Sequence, residues 1–393
     1  MRLWGILTTN HTNLTNKFML FFELLQIALG NRERLSVVPS AEEWTEMYAE
    51  SERQAVIDIL LHGIERLSAE QRPAKVFLLQ WIGVGEIIKQ RNSLLNGLCK
   101  ELTSNLSAAG LHPTILKGQG IAQCYPETLQ KLRQPGDIDV YVSDGREKAI
   151  EYARSVGQNN IDWDYKHLHL KVWDDTEVEM HYHVEVLLNL WKNRKLQKWF
   201  ATHTEQIYGH TDFTDTTDQE TNTNRTNDTN RFVTPVVEFN VFYILLHIYR
   251  HFLYEGVGFR QIIDYYFVLK RLTVESLELR DSSELKDSIA AVREFGMAKF
   301  AKGLMWVMYE ALGMPNEWML WEPDEKEGKY ILEQVMTGGN FGHHDKRLKH
   351  TCGKIGAVKA ILTHSLHLLT HYPSDVIWAP VWIVWHKLWK LTR

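Results

Sequence analysis

Between residues 114 and 182 the hydrophobic pattern of this chain changes period, and that change limits the folds open to it. On either side apolar residues recur at helical spacing, whereas inside the window they alternate with polar ones, as strands require. Thr114-Ile-Leu116 is a short β-type run and Ile138-Asp-Val-Tyr-Val142 a second. His167-Leu-His-Leu-Lys-Val172 and Glu177-Val-Glu-Met-His-Tyr182 alternate on both sides of a turn-like Trp173-Asp-Asp-Thr176. The last two runs predict a hairpin with one apolar and one polar face. Helical stretches up to about Tyr125 and over 146–156 separate the strands. A few short strands enclosed by helices predict an α+β chain with a small mixed sheet.

The flanks read as helix. Ser40-Ala-Glu-Glu43 has the form of a capping box, so a helix should start near Ala41. Phe18–Leu29 is interrupted by Glu23 and Gln26 and is shorter than the roughly 20 residues a spanning helix needs, which predicts a buried core helix. Leu94, Leu98, Leu102 and Leu106 recur every fourth residue and predict one helix face, closed by Gly110 and Pro113. Residues 202–230 are mostly Thr, Asn and Asp, cannot bury enough surface to offset ordering entropy, and read as a mobile loop or linker. Helical periodicity returns with Phe239, Phe242, Tyr243 and Leu246. At 393 residues the chain exceeds one ordinary core, and it divides into an amino-terminal helical region (1–109), a β-containing core (110–200), a low-complexity segment (201–231) and a carboxy-terminal helical region (232–393).

Bulk properties exclude several function classes. A net charge of -5 gives no broad basic surface for nucleic acid. Cys99, Cys124 and Cys352 lie far apart and match no metal-ligand spacing, which with the lack of a secretory signal predicts a cytoplasmic protein. Val376–Trp385, rich in Trp and followed by Lys387, Lys390 and Arg393, is weighed as a membrane-interface helix but reads as a terminal helix docked on the body, since no second anchoring signal accompanies it. No segment reads as transmembrane.

The chemistry concentrates in Gly136-Asp-Ile-Asp-Val-Tyr-Val142. Alternation sends Ile138, Val140 and Val142 into the core and projects Asp137, Asp139 and Tyr141 from the other face. Two carboxylates a few ångströms apart repel by about 4 kcal/mol at an effective dielectric of roughly 20, and a divalent cation reverses that cost. Mg²⁺, or Mn²⁺ in its place, is commonly held by one or two carboxylates together with substrate phosphates. A two-metal arrangement wants a third acid, and Glu179, between Val178 and Met180 on the polar face of a later strand, is the candidate. Lys117-Gly118-Gln119 ends one strand and opens a helix: glycine permits close phosphate approach, free N–H groups point outward, and Lys117 adds a point charge.

This order of strand, glycine at a helix start, Asp-x-Asp and a lone carboxylate between apolar residues resembles the DNA polymerase beta-like nucleotidyltransferases. Leu116-Lys-Gly-Gln-Gly-Ile-Ala122, Tyr125-Pro126, Arg133, Gly136-Asp-Ile-Asp139 and Val178-Glu-Met-His181 are more specifically similar to an uncharacterised bacterial family of that superfamily, NTP_transf_5. Leu245-Leu-His-Ile-Tyr-Arg-His251 and Gly256-Val-Gly-Phe-Arg-Gln-Ile-Ile-Asp264 resemble its helical continuation, so the likeness spans about 110 to 270. The resemblance implies a nucleotidyltransferase core in which Asp137, Asp139 and Glu179 are catalytic and bind metal. It implies that Gly118 faces the phosphates of a nucleoside triphosphate such as ATP, with Lys117, Gln119 and Arg133 completing the nucleotide site. The reaction implied is transfer of a nucleoside monophosphate to a hydroxyl of a small molecule, saccharide or protein. Gln119 departs from the pattern, since the superfamily usually has Ser or Gly there, and the interval from Gly118 to Asp137 is longer than in its minimal members.

Plainer readings stand beside these. Pro135-Gly-Asp137 is also turn chemistry, Glu179 with Glu177 also suits an exposed charged edge, and Lys117 also suits a surface lysine. His167, His169, His181 and His183 alternate and raise zinc as an alternative metal. His247 and His251 have helical spacing, but Ile248 stands where a zinc protease helix carries Glu, so packing or a hydrogen bond to a neighbouring helix is the expectation. Arg260 and Asp264 suggest an i, i+4 pair with a substrate contact left open, and Tyr265, Tyr266 and Phe267 suggest core. The rival function is a non-catalytic nucleotide- or protein-binding module on the same fold.

Overall fold

A computed structural model of the chain describes residues 18–209, 232–274, 277–342 and 354–392. The alternating runs form four strands, Pro113–Ile115 (β1), Ile138–Val142 (β2), His167–Leu170 (β3) and Val178–His181 (β4), in one sheet of order β1-β2-β4-β3. β3 and β4 make the expected antiparallel hairpin, β1 runs antiparallel to β2, and β2 runs parallel to β4. The sheet is therefore mixed, as the sequence implies. Its apolar face, with Ile138, Val140, Leu168 and Met180, packs on Leu95, Cys99, Leu102 and Leu106 of a long helix and on Ala149, Tyr152 and Ala153 of a short one.

Helices Met19–Leu29 (α1), Ala41–Arg53 (α2), Ile57–Arg66 (α3) and Lys75–Ala108 (α4) precede the sheet. α1 is buried as expected, and α2 starts on the capping box, with Ser40 Oγ accepting from Glu43 N and Glu43 Oε2 accepting from Ser40 N. One expectation needs correction. Leu94 is 45% exposed, and α4 buries Leu95 and Cys99 ahead of Leu102 and Leu106. A four-residue step advances about 400° around a helix, so strict fourth-residue spacing drifts about 40° per step and leaves the buried face within three steps.

Arg146–Ser155 (α5) lies between β2 and β3, and Leu190–Thr202 (α6) follows β4. Thr204–Ile207 adds a helical turn; the rest of the Thr- and Asn-rich stretch, 210–231, lies outside the described residues. Beyond it come Val237–Tyr254 (α7), Phe259–Val274 (α8), Ser283–Glu294 (α9), Ala298–Leu312 (α10), Glu325–Gly338 (α11), Lys354–Leu368 (α12) and Trp378–Leu391 (α13). A second core runs through helices from both sides of the sheet in sequence, from Leu24, Leu60 and Trp81 to Phe242, Leu269 and Leu304. Tyr265, Tyr266 and Phe267 belong to it. α13 docks through Trp382, Trp385 and Trp389 on Tyr165, as a terminal helix was expected to, while Val384 and Leu388 face outward. Among the described residues no helix is long and apolar enough to cross a membrane.

Candidate active site

Strand register assembles the site. Parallel pairing makes Asp139 and Glu179 direct partners across β2 and β4, and antiparallel pairing sets His169 opposite Glu179 and His167 opposite His181. Two rows of side chains thus cross the polar face, Asp139-Glu179-His169 and Tyr141-His181-His167. The face is roofed by α7, α8 and α13, leaving a cleft of about 1030 Å³ lined by Gly118, Asp137, Asp139, Glu179, Arg260 and Trp382 among others. That volume is at the top of the roughly 300–1,000 Å³ usual for ligand pockets, so a nucleotide leaves room for a second ligand.

Asp139 is 1% exposed, and its Oδ1 is 2.5 Å from Lys117 Nζ and accepts a 2.9 Å bond from His181 Nε2. His181 Nε2 also lies 3.2 Å from Glu179 Oε2. Burial alone would raise the Asp139 carboxyl, but the Lys117 ammonium and the His181 bond outweigh it and hold it below the usual range. Glu179 behaves alike: burial would raise it, and the bond from His181 with the charge of Lys117 pulls it far down. His181 is the counterpart, pushed down by burial and by Lys166 but raised on balance by the two carboxylates. Nothing within 136–142 neutralises these acids, yet Lys117 and His181 from neighbouring elements do. Asp139 Oδ2 stays buried without a hydrogen-bond partner among the described residues.

The other expected residues fall in different places. Gly118 holds φ +60°, and a Cβ there would meet Asp137 O at 3.4 Å, so the turn runs close beneath the Asp-x-Asp strand. Asp137 lines the cleft but lies outside the compact donor sets, which among the described residues are Asp139/Glu179/His181 and His167/His169/Glu179, each with ligand atoms within 4.8 Å of one another. Gln119 does not bring its side chain to the cleft: it is buried and Nε2 donates to Asn96 Oδ1 at 2.8 Å on α4. Arg133 reaches the cleft wall with its guanidinium already engaged, Nε and Nη2 donating to Asp264 at 2.7 and 2.8 Å. Tyr125 Oη donates to the same carboxylate at 2.8 Å.

The expected Arg260–Asp264 pair is therefore corrected, because Asp264 is buried and its two oxygens are taken by Arg133 and Tyr125. Arg260 lies against Phe341, with Nη1 only 3.5 Å from Gln134 O and a buried Nε that has no hydrogen-bond partner among the described residues. Burial and the neighbouring Arg133 bring its guanidinium down to about 10. The four-histidine alternative is reduced to three, since His183 stacks on Tyr165 at 4.6 Å and bonds Tyr165 O at 2.7 Å.

Sequence reasoning did not find the charged floor of the cleft. Glu185, wholly buried, meets Lys166 Nζ and Arg250 Nε at 3.2 Å each and His247 Nδ1 at 3.0 Å. Burial would raise its carboxyl; Arg250 and Lys166 instead hold it well below the usual range. His251, expected to pack or to bond a neighbouring helix, is bound to Glu255 at the end of its own helix, at 2.7 Å. The available signal was the presence of His247, Arg250 and His251 in α7, a helix otherwise almost entirely buried.

Residues 40–308 match the family described as uncharacterised nucleotidyltransferase, a span that holds all four strands and the three helices that carry the cleft's Arg91, Arg250 and Arg260. The chain belongs to this nucleotidyltransferase family. No curated protein matches it, and no solved structure does. Membership supports nucleotidyl transfer and implies a nucleotide substrate, and the family's usual need for divalent metal agrees with the acidic and histidine donor sets on the sheet.

Proposed function

We propose that this protein transfers a nucleoside monophosphate from a nucleoside triphosphate to an acceptor hydroxyl, with Mg²⁺ or Mn²⁺ held by Asp137, Asp139 and Glu179. The observation that carries the reading is the cross-strand pairing of Asp139 with Glu179 in a deep cleft, with one buried Asp139 oxygen lacking a partner among the described residues. That orphan oxygen and the close donor set of Asp139, Glu179 and His181 fit a divalent cation. When bound, the cation supplies charge neutralisation for the triphosphate and the attacking oxygen.

The remaining work falls to the chain. The Gly118 turn admits phosphate oxygens close to backbone, and Lys117, now on Asp139, is within the cleft to meet a phosphate, an exchange a cation bound by the acids would favour. Arg260 adds a guanidinium that Arg133 cannot, because Arg133 is committed to Asp264. Glu179 orients the acceptor hydroxyl, whose oxygen forms the new bond to the α-phosphorus while the bond to the β-phosphate breaks and pyrophosphate leaves. The hydroxyl proton passes to a carboxylate of the site or to water. Positioning and charge, not covalent chemistry, supply the rate.

The test is calorimetry with ATP, GTP, CTP and UTP, with and without Mg²⁺ or Mn²⁺, together with a pyrophosphate-release assay. We expect metal-dependent binding and turnover, and a loss on the order of a thousandfold in Asp139→Asn or Asp137→Asn. Turnover unchanged in those variants overturns the assignment. The second reading, a non-catalytic nucleotide- or protein-binding module, is favoured by the Lys117 and His181 contacts that already occupy Asp139 Oδ1; it predicts binding without pyrophosphate release.

A further inference from the structure

The polar sheet face carries more nitrogen donors than this reaction uses. His167 and His169, two positions apart on β3, project on the side of Glu179, with ring centroids 5.0 Å apart, and the His167 and His181 rings are also 5.0 Å apart. His167 Nδ1 is buried 3.4 Å from Glu179 Oε2 and makes no hydrogen bond among the described residues; the wholly buried His181 likewise leaves Nδ1 without one. Buried polar atoms without partners are rare in folded proteins, and each costs about 1–3 kcal/mol, so three on one face (with Asp139 Oδ2) point to a missing ligand.

The donor chemistry states which ligand. His167, His169 and Glu179 offer two imidazoles and a carboxylate within 4.8 Å of one another. Behind His169, Glu177 Oε1 lies 3.0 Å from Nδ1, the carboxylate–imidazole pairing that fixes the tautomer and leaves the lone pair on Nε2. Imidazole suits borderline transition ions, whereas Mg²⁺ prefers oxygen.

We infer that β3 and β4 carry a second cation site, in which His167, His169 and Glu179 take a borderline divalent ion of the zinc, cobalt or manganese class. The site borrows Glu179 from the reading above but requires neither nucleotide nor turnover. It lies one strand further from Asp139, so an ion there would fix Glu179 while Asp137 and Asp139 remain open.

Titration of the metal-free full-length protein with Co²⁺, followed by visible absorption and by metal content after dialysis, tests this. The expected result is one retained Co²⁺ per chain with a nitrogen-ligated spectrum. His169→Gln should weaken binding about tenfold or more, and His183→Gln, whose ring is held on Tyr165 outside the donor sets, should leave it unchanged. His169 is one-third exposed, so its replacement spares the core, and His167→Gln supplies a second variant with the same expectation. Co²⁺ affinity unaltered by both histidine variants, or no retained Co²⁺ in the native protein, overturns the proposal. Retained Co²⁺ without any nucleotide turnover would remove the transferase reading and leave this site standing.

Discussion

Arg133 and Arg260 flank Gln134 in space, and their guanidiniums have opposite environments. Arg133 is locked in a two-point ion pair with a buried carboxylate, so Arg133→Met strands Asp264 with Tyr125 alone and should cost about 3–5 kcal/mol in denaturant unfolding. Arg260 has no carboxylate of its own among the described residues. Arg260→Met should therefore leave stability within experimental error while raising the Kd for a metal-bound triphosphate about tenfold or more. A triphosphate Kd that does not move would mean this guanidinium never meets a phosphate. The contrast also explains what could be read from the residues in advance. Asp137, Asp139 and Glu179 announce themselves by strand alternation, a period-two signal contained in a few neighbours. Which arginine is engaged was hidden, because Asp264 chooses a partner more than a hundred positions away in preference to one four positions away on its own helix.

At the scale of elements, α1 and α3 cross at Gly63, where a Cβ would sit 2.8 Å from Leu24 O and 3.3 Å from Ala28 Cβ. Backbone cannot retreat as a side chain does, so Gly63→Ala should lower stability on the order of 2 kcal/mol even though alanine favours helix, read as a fall in Tm. A Tm that rose would show that the helices can separate freely. The neighbouring crossing of α3 and α4 hides Asp58, which burial pushes from 3.8 up to about 6 against the opposing pull of Lys89. A carboxyl raised in the folded state favours folding least when ionised, so its contribution falls as pH climbs from 3.8 to about 6 and stays low above that. Asp58→Asn should remove the fall, making the variant more stable than its parent at pH 7 by on the order of 2 kcal/mol and equal to it below pH 4. Paired unfolding curves across that range check it, and a gap independent of pH would exclude the carboxyl as its source. Capping box, hairpin and sheet strands were legible because each is decided by residues within a turn or two. The buried stripe of α4 was not, because its phase is chosen by the partners it meets and rotates away from a fixed spacing.

For the whole molecule, α4 is the joint between two cores, giving Trp81 and Ile88 to the large helical one and Leu95 to Leu106 to the one beneath the sheet. Helices from the beginning and end of the chain share the first, so α1, α7 and α10 should exchange their slowest amide hydrogens through one common opening. Separate opening of α1 would contradict a shared core. Charge ties the same parts together: Arg250 from α7 neutralises Glu185 just beyond β4, and Arg250→Met should cost about 3 kcal/mol because the carboxylate has no route to water.

That last contact sets an order of events during synthesis. A ribosome that has released all four strands has made both acids of the pair across β2 and β4, but Glu185 still waits for the cation and imidazole supplied by α7. Until translation passes Tyr254, Glu185 has Lys166 but neither Arg250 nor His247 to balance it, and the cleft floor stays unfinished. A premature stop inside α7 should therefore yield a sheet that invites chaperones in place of a smaller working enzyme.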